Sequence, residues 1–417
     1  MAKLNFPQGF LWGAATSAHQ VEGGNRNNWS QWEEQNAQRL AAEAPKHWSG
    51  SSNWDQIKPQ ATDPNNYLSG RASDHHHLYE QDFDLAQSLG LTAYRFSIEW
   101  SRVEPGPGKF DRREIEHYRQ VVEALKARGI EPFVSLWHWT IPLWLDGIGG
   151  WLNKTAASSF AGFAKLMANE LPRVRFWLTL NEPYTYLYNS YAKGDWPPQK
   201  RNLAAALKVR HHLTLAHRQA YQAIKSVRPA SQIGLAENII YFEAHRNRLI
   251  NRLVRTAVNR QANHFFLSRA HGYQDFIGLN HYFHNRIVAG KLNQNQNKVV
   301  SDLGWELFPE AIFHAAKEVS GYNLPIYVTE NGVADAKDKR RAWFIIETLK
   351  HLHRAISEGA DVRGYLHWSL LDNFEWDKGF WPRFGLIEVN YQTLERSVRS
   401  SAEVYAKIVK SNQIEVN

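Results

Sequence analysis

The chain of 417 residues contains no cysteine and only two methionines. Without cysteine it forms no disulfide bond and has no thiol to act as a nucleophile. A chain of this length can bury a core large enough to fold without cross-links. The lack of cysteine is compatible with a reducing compartment, and we expect a cytoplasmic protein.

Long apolar runs are also missing from the sequence. No stretch approaches the roughly 18 apolar residues that a membrane-spanning helix needs. The first residues, MAKLNFPQGF, do not show the basic start and long apolar segment of a secretory signal. These features predict a protein without a membrane partner.

Charge is not concentrated in one part of the chain, although the net charge is +8. Nucleic-acid binding usually shows as a clustered basic stripe or tail. Here the basic residues are scattered beside acidic ones, and the densest group is Arg246, Arg248, Arg252 and Arg255. We interpret that group as a solvated helix face and expect no nucleic-acid partner.

Tryptophan, by contrast, is abundant, with 17 residues. Several of them stand next to Asn, Glu or His, which a purely apolar core would not favour. Sugar-binding sites combine flat aromatic faces with charged and amide groups, because a pyranose ring has apolar C–H faces and polar edges. The composition therefore indicates a carbohydrate site.

A repeated unit predicts the fold: an amphipathic helix, a Gly or Pro break, and a short apolar run. Strands that alternate with helices form a parallel sheet, and eight such units favour a closed (β/α)8 TIM barrel in the α/β class, here one domain over 1–417. A doubly wound open sheet would normally carry a Gly-rich phosphate turn after its first strand, which GAATSAHQVEGG does not match. The predicted strands are 10–15, 92–98, 132–137, 175–180, 233–237, 275–280, 325–329 and 363–369.

Polar residues follow these predicted strands with regularity, at the edge where barrel enzymes place their chemistry. They are Trp137-His138-Trp139, Asn181-Glu182-Pro183, Asn280-His281-Tyr282, Glu330-Asn331-Gly332 and the group from Trp368 to Trp376. A random distribution of loop residues would not collect on one rim. The run His75-His76-His77 lies outside this rim, and consecutive helical residues do not face one another, so it is a poor metal-chelating set.

Glu182 and Glu330 end the fourth and seventh predicted strands, so the closed barrel brings their side chains face to face. Two facing carboxyl groups suit glycoside hydrolysis, in which one is protonated and the other ionised. Burial and mutual repulsion raise one pKa, and we expect Arg95, at the end of the second strand, to hold the pKa of Glu330 down. Each glutamate alone could be a rim salt-bridge partner, but the pairing favours catalysis.

The chain resembles glycoside hydrolase family 1 in five segments that occur in order. TLNEP (179–183) is similar to the acid/base motif of that family, and YVTENG (327–332) is similar to its nucleophile motif. The opening segment 10–24, the segment 74–111 and the closing segment 364–389 also resemble it. The resemblance implies a retaining β-glycosidase with Glu182 as acid/base and Glu330 as nucleophile.

The same resemblance implies roles for the residues around the two glutamates. Gln20 and His138 would bind the 3- and 4-hydroxyls of the sugar, Asn181 the 2-hydroxyl, and Trp376 the 3-hydroxyl. Tyr282 would donate a hydrogen bond to Glu330, Trp368 would stack on the sugar, and Glu375 would bind the 4- and 6-hydroxyls. Trp305 is similar to a platform for the leaving group.

Family members that act on 6-phosphorylated sugars carry a small hydroxyl residue in place of Glu375. The resemblance therefore implies unphosphorylated β-D-glucosides, β-D-galactosides or β-D-fucosides as substrates, with no cofactor and no metal. Two alternatives stay open: a transglycosylase that uses the same covalent intermediate, and a carbohydrate-binding protein without catalysis. The preferred sugar, the natural leaving group and the oligomeric state are left undetermined.

Overall fold

The computed structural model describes residues 2–416 and contains a closed parallel barrel of eight strands. The strands are β1 (Ala2–Asn5), β2 (Leu11–Ala15), β3 (Ala93–Ser97), β4 (Glu131–Ser135), β5 (Phe176–Asn181), β6 (Gln232–Asn238), β7 (Tyr241–Ala244), β8 (Phe276–Asn280), β9 (His284–Ile287), β10 (Ile326–Asn331), β11 (Val362–Trp368), β12 (Ile387–Val389), β13 (Arg396–Val398) and β14 (Gln413–Val416). The barrel order is β2, β3, β4, β5, β6, β8, β10 and β11, after which the sheet closes on β2. Three further pairs of the described strands, β1 with β14, β7 with β9 and β12 with β13, lie outside it.

Helices surround the barrel and connect its strands. Within residues 2–416 none of them is long and apolar enough to cross a membrane. The helices are α1 (Ala18–Val21), α2 (Asn28–Trp48), α3 (Trp54–Ala61), α4 (His75–Ser88), α5 (Trp100–Val103), α6 (Arg112–Ala127), α7 (Leu143–Gly147), α8 (Ala156–Glu170), α9 (Pro183–Leu187), α10 (Leu203–Val227), α11 (Leu249–Ala262), α12 (Phe265–Arg269), α13 (Ala311–Ser320), α14 (Arg341–Ser357) and α15 (Ser400–Ser411).

The eight-stranded barrel predicted from the sequence is confirmed. Each predicted strand coincides with a barrel strand to within one or two residues at either end. The sequence did not predict the short strands β7 and β9, which pair in parallel beside the barrel. Both have only four residues, too few for a distinct apolar period, and their pairing joins distant parts of the chain.

Helix α6 shows how local sequence produces these elements. The side chain of Asp111 caps the helix by accepting a hydrogen bond from the backbone N–H of Arg113. Ile115, Tyr118, Val122 and Leu125 are buried on one face, at the spacing that a 3.6-residue period requires. The helix thus packs against the barrel through one stripe.

Aromatic side chains fill the barrel below the carboxyl ends of the strands. The rings of Phe133 and Phe176 stack with centroids 4.3 Å apart, and Phe276 and Tyr327 pack against them edge-on. These residues belong to one cluster that also contains Leu178. The interior of the barrel at this level is therefore a packed core and not a channel.

Each of the three consecutive histidines at the start of α4 forms a hydrogen bond with a different acidic residue. His75 bonds to Asp82 at 2.7 Å and is buried. His76 bonds to Glu114 at 3.1 Å, and His77 bonds to Asp74 at the surface. This divergence is what the helical spacing predicts, because neighbouring positions on a helix face different directions.

Candidate active site

A cavity of about 560 Å³ opens at the carboxyl ends of the barrel strands. Both glutamates singled out in the sequence, Glu182 and Glu330, line it. Among the other predicted site residues, those that also line the cavity are Gln20, His138, Tyr282, Trp305, Trp368, Glu375 and Trp376. The structure thus brings nine side chains from distant parts of the sequence to one cavity.

Glu330 stands in β10 and is held by two donors. The Arg95 guanidinium donates to its Oε1 at 2.6 Å, and the Tyr282 hydroxyl donates to its Oε2 at 2.9 Å. Burial raises the pKa of Glu330 above its ordinary value, while Arg95 and Tyr282 oppose that rise. Arg95 lowers this pKa, as the sequence predicts, but the net shift is upward because the loss of hydration outweighs the charge of the guanidinium.

Glu182 follows β5 and has a different environment. Its Oε1 accepts a hydrogen bond from the Asn280 amide at 2.8 Å, and the Asn238 amide lies 3.5 Å from its Oε2. Burial, followed by the charge of Glu330, raises the pKa of Glu182 to about 7. Glu182 therefore keeps its proton at neutral pH to an extent that an ordinary glutamate does not.

Arg95 and Asn181 lie directly beneath the cavity and do not line it. Arg95 donates to the Asn181 side-chain oxygen at 2.6 Å and to the Ser135 hydroxyl at 2.9 Å. The Asn280 amide also donates to that oxygen of Asn181, at 3.0 Å. These buried polar groups form one network under both glutamates and fix the orientation of each carboxyl group.

The same network determines the tautomer of His138. Since the Asn181 oxygen accepts from Arg95 and Asn280, the Asn181 amide nitrogen is the donor toward His138 Nε2, at 3.1 Å. Nε2 is then unprotonated, and Nδ1 carries the proton. Burial, and then the Arg95 charge, place the pKa of His138 well below its ordinary value, so the ring is neutral. Nδ1 is buried and has no hydrogen-bond partner within residues 2–416.

The remaining predicted residues line the cavity and contact one another. The Gln20 amide donates to the Phe374 carbonyl at 2.8 Å and lies 3.5 Å from a Glu375 oxygen. The rings of Trp368 and Trp376 each stack against the His138 ring. Trp305 packs edge-on against Phe283 on another side of the cavity, with the ring centroids 4.8 Å apart.

Burial raises the pKa of Glu375 to about 8, although Lys378 opposes the shift. The carboxyl group is therefore largely protonated at neutral pH. It can donate as well as accept a hydrogen bond, which suits a sugar hydroxyl. A largely neutral Glu375 repels a sugar 6-phosphate less than an ionised carboxylate does.

Asn280 is the functional residue that the sequence reasoning missed. It was placed on the rim but received no role, yet it contacts Glu182, Asn181 and, through its oxygen, the Thr329 hydroxyl. Its position at the end of β8 is the same signal that identified Glu182 and Glu330. The apolar residues that line the outer cavity were also missed, because nothing in their local sequence separates them from core.

A parallel eight-stranded barrel with two buried carboxyl groups at the carboxyl ends of its strands is the arrangement expected of a glycosidase. The model of glycosyl hydrolase family 1 matches residues 2–271 and 262–414. The chain belongs to this family, and it is a β-glycosidase.

Known proteins similar to this chain include beta-glucosidases and a beta-galactosidase. Beta-glucosidase A of Thermotoga maritima is 31% identical over 459 residues, which cover 98% of this chain and 99% of that protein. The beta-galactosidase of Pyrococcus woesei is 29% identical over 516 residues, with 98% of each chain covered. The solved structure of a beta-glycosidase from Pyrococcus horikoshii has a TM-score of 0.88 and 35% identity, and the match covers 100% of this chain and 97% of that one.

Proposed function

We propose that the protein hydrolyses β-glycosides by double displacement with retention of configuration at the anomeric carbon. The observation that carries this proposal is the unequal environment of the two facing carboxyl groups. Glu330 receives hydrogen bonds from Arg95 and Tyr282, which favour its ionised form, whereas the pKa of Glu182 is raised to about 7. One group is thus suited to attack and the other to donate a proton.

In the first step, a Glu330 oxygen attacks the anomeric carbon while Glu182 transfers its proton to the departing glycosidic oxygen. The products are a free leaving group and a glycosyl ester of Glu330. In the second step, the ionised Glu182 takes a proton from water, and that water attacks the anomeric carbon and releases Glu330. Such a mechanism requires carboxyl groups about 5–5.5 Å apart.

The sugar ring lies at the end of the cavity formed by Gln20, His138, Glu375 and Trp376, with Trp368 against its apolar face. His138 and the neutral carboxyl of Glu375 supply hydrogen bonds to its hydroxyls. Asn181, which was expected at the 2-hydroxyl, acts from beneath the cavity by holding His138 through a hydrogen bond at 3.1 Å. The solved structure of beta-glucosidase from Thermotoga maritima in complex with deoxynojirimycin is 28% identical to this chain, which supports a monosaccharide in this position.

The proposed substrates are unphosphorylated β-D-glucosides, β-D-galactosides or β-D-fucosides, cleaved from the non-reducing end. Relatives named beta-glucosidase and beta-galactosidase both support this range. A single catalytic domain over 1–417 without cofactor or metal is part of the proposal. A transglycosylase would use the same intermediate, and a sugar as acceptor in place of water would reveal it.

The test is hydrolysis of a panel of 4-nitrophenyl β-D-glycosides: glucoside, galactoside, fucoside, mannoside and glucoside 6-phosphate. We expect turnover of at least one of the first three, and proton NMR of the first-formed sugar shows the β-anomer. Release of the α-anomer contradicts the retaining mechanism. Silence across the panel from folded protein contradicts catalysis and favours a sugar-binding protein.

A further inference from the structure

Glu237 is a fully buried acid near the carboxyl end of β6, on a face of the strand that is otherwise apolar. Side chains alternate along a strand, so Glu237 shares its face with Ile233 and Leu235, which belong to the large core cluster between barrel and helices. Ala236, on the other face, belongs to the cluster inside the barrel. An apolar side chain at position 237 would continue the pattern, whereas a carboxyl group there loses its hydration.

The Glu237 carboxyl group has few partners to replace that hydration. Its Oε1 accepts a hydrogen bond from the backbone N–H of Asn238 at 3.2 Å, and its Oε2 has no partner within residues 2–416. Burial, and then the charge of Glu182, raise its pKa well above the ordinary value, while hydrogen bonds from the backbone N–H groups of Asn238 and Tyr184 oppose that rise. Glu237 is therefore neutral at neutral pH, with Oε1 as the acceptor and the proton on Oε2.

Both neighbours of Glu237 in the strand contact the proton donor. The Ala236 carbonyl accepts the backbone N–H of Glu182 at 2.8 Å, and the Asn238 amide lies 3.5 Å from Oε2 of Glu182. Tyr184, whose backbone N–H faces the Glu237 carboxyl group, is only two residues beyond Glu182 in the chain. Glu237 thus stands where β6 meets the turn that carries the acid.

That turn has an unfavourable backbone conformation. Glu182 has a φ of 43°, in the left-handed region, and it precedes helix α9 without capping it through its own side chain. The first N–H groups of a helix have no acceptor within the helix, and the N–H of Tyr184 is one of them. The Glu237 carboxyl group supplies an acceptor there, and α9 packs against β6. Contacts of this kind maintain a backbone conformation that is unfavourable by itself.

We infer that Glu237 is a positioning residue for the proton donor: its carboxyl oxygen accepts from the backbone of Asn238 and of the turn after Glu182, and this aims the Glu182 carboxyl group at the departing oxygen. Glu237 does not line the cavity, so it acts through Glu182 and not on the substrate. The inference rests on the proposed function, because it assigns a residue that supports its acid.

The experiment compares Glu237→Leu with the parent protein on two aryl β-glycosides of the sugar that the 4-nitrophenyl panel selects. Leucine continues the apolar face but cannot accept a hydrogen bond. Phenyl glycosides need a proton on the departing oxygen, whereas 2,4-dinitrophenolate departs as a stable anion without one. We expect kcat/KM to fall about tenfold for the phenyl glycoside and less than about twofold for the dinitrophenyl glycoside. An equal loss on both substrates overturns the inference.

Two further variants separate positioning from a general loss of packing. Gln274→Leu is the matched control, because Gln274 is 6% exposed, has two unpartnered polar atoms within residues 2–416, and precedes β8 at the end of the barrel opposite to the cavity. We expect it to keep the parent ratio of the two kcat/KM values. Glu237→Gln retains an acceptor oxygen and is expected to restore that ratio. A ratio in Glu237→Gln as altered as in Glu237→Leu contradicts positioning through the acceptor.

Melting temperatures show that each variant is folded, and Glu237→Met, which also lacks an acceptor, takes the place of Glu237→Leu if the leucine variant does not fold. Tested in this way, the leaving-group ratio is read only from folded protein.

A double variant separates the failure of this inference from the failure of the proposed function. If Glu237 acts only through Glu182, then Glu237→Leu added to Glu182→Ala causes no further loss on the phenyl glycoside. A further tenfold loss overturns the inference. Glu182→Ala alone is expected to show the same dependence on the leaving group, and its absence there contradicts the proposed acid. If Glu182→Ala shows the dependence and Glu237→Leu does not, only the role of Glu237 is rejected.

Discussion

At the residue scale, the function depends on two carboxyl groups of the same chemical type in different surroundings. Glu330 is bonded to a buried guanidinium and a phenol, whereas Glu182 accepts from the Asn280 amide and has no cationic partner among its hydrogen-bond donors within residues 2–416. Amides stabilise a carboxylate less than a full positive charge does. The proton that the pair retains is therefore expected on Glu182.

The first prediction concerns the pH dependence of catalysis. Because the pKa of Glu182 is about 7, kcat/KM for a 4-nitrophenyl glycoside is expected to fall as the pH rises through 7, when the acid loses its proton. Glu182→Ala is expected to reduce kcat by about 10²–10⁴ and to remove this limb of the profile. Azide is expected to restore turnover and to give a β-glycosyl azide.

Glu330→Gln is expected to abolish nearly all activity, with no rescue of the retaining reaction by azide. Glu388→Gln, at a side chain that is 58% exposed, is the matched control and is expected to keep full activity. Persistence of the limb near pH 7 in Glu182→Ala contradicts the assignment of the acid.

The second prediction concerns the pH dependence of stability, which follows from the same raised pKa of Glu182. The pKa of Glu182 rises from its ordinary value of 4.5 to about 7 in the folded protein, so its contribution is fully present below 4.5 and lost as the pH rises through 7. Glu182→Gln carries no ionisable group at this position. Its melting temperature is expected to exceed that of the parent at pH 8 and to match it near pH 4.5.

Differential scanning fluorimetry at both pH values measures this difference. Glu388→Gln again serves as the control, because an exposed carboxyl group is not expected to show such a dependence. A lower melting temperature of Glu182→Gln at pH 8 contradicts the proposed protonation state.

At the element scale, strand ends and the turns after them place the reactive groups. Register shifts occur in β10 between Val328 and Glu330, and in β5 between Leu178 and Asn181. Glu182 adopts a φ of 43°, in the left-handed region that non-glycine residues seldom occupy. Such irregularity at an active site is maintained by the surrounding packing, since the backbone alone disfavours it.

The turn after β10 needs glycine at position 332. A Cβ at Gly332 would collide with the backbone carbonyl oxygen of Trp368 on the neighbouring strand. The two strand ends can approach this closely only without a side chain at that position. This contact places Glu330 and Trp368 on the same part of the cavity floor.

The third prediction concerns the aromatic cluster of Phe133, Phe176, Phe276 and Tyr327 inside the barrel beneath the site. Phe133 is fully buried and stacks on Phe176, so Phe133→Ala is expected to lower the free energy of unfolding by about 3–5 kcal/mol. Phe110→Ala, at a side chain that is 38% exposed, is the control and is expected to change it little. Urea titration measures the free energy of unfolding of both variants. Equal losses would contradict the claim that the buried aromatic cluster stabilises the barrel.

At the scale of the whole molecule, a buried ionic group joins the carboxyl end of β11 to α15 and the segment before it. Asp372 is fully buried and accepts two hydrogen bonds from Arg399, at 2.9 and 3.0 Å, and one from Arg383 at 3.2 Å. Its Oδ1 also accepts a hydrogen bond from the backbone N–H of Gly385 at 2.9 Å. This group holds the last helix against the loop that carries Glu375 and Trp376.

The fourth prediction follows from this arrangement. Asp372→Ala leaves Arg399 buried without its main counter-charge, and we expect a loss of about 3–5 kcal/mol in the free energy of unfolding. Asp361→Ala removes the partner of Arg363 in an exposed pair, and a change of about 0–1 kcal/mol is expected. Comparable losses in both variants would show that burial of the Asp372 group is not decisive.

The sequence by itself determined the barrel and the two glutamates. The hydrophobic period of each helix and the spacing of the apolar strand segments are local properties of the sequence. Eight helix–strand units leave few ways to close a parallel sheet. The short motifs around Glu182 and Glu330 stand at strand ends, where topology alone brings their side chains to one edge.

Only the tertiary structure decided the balance of the pKa values and the shape of the leaving-group side. The pKa of Glu330 depends on how far burial outweighs Arg95, and that of Glu375 depends on its distance from water. Phe242 and Val258 look like core in the sequence, yet they line the cavity because β7 and α11 pack beside the barrel. Desolvation and cavity shape arise from contacts between distant segments, and no local pattern encodes them.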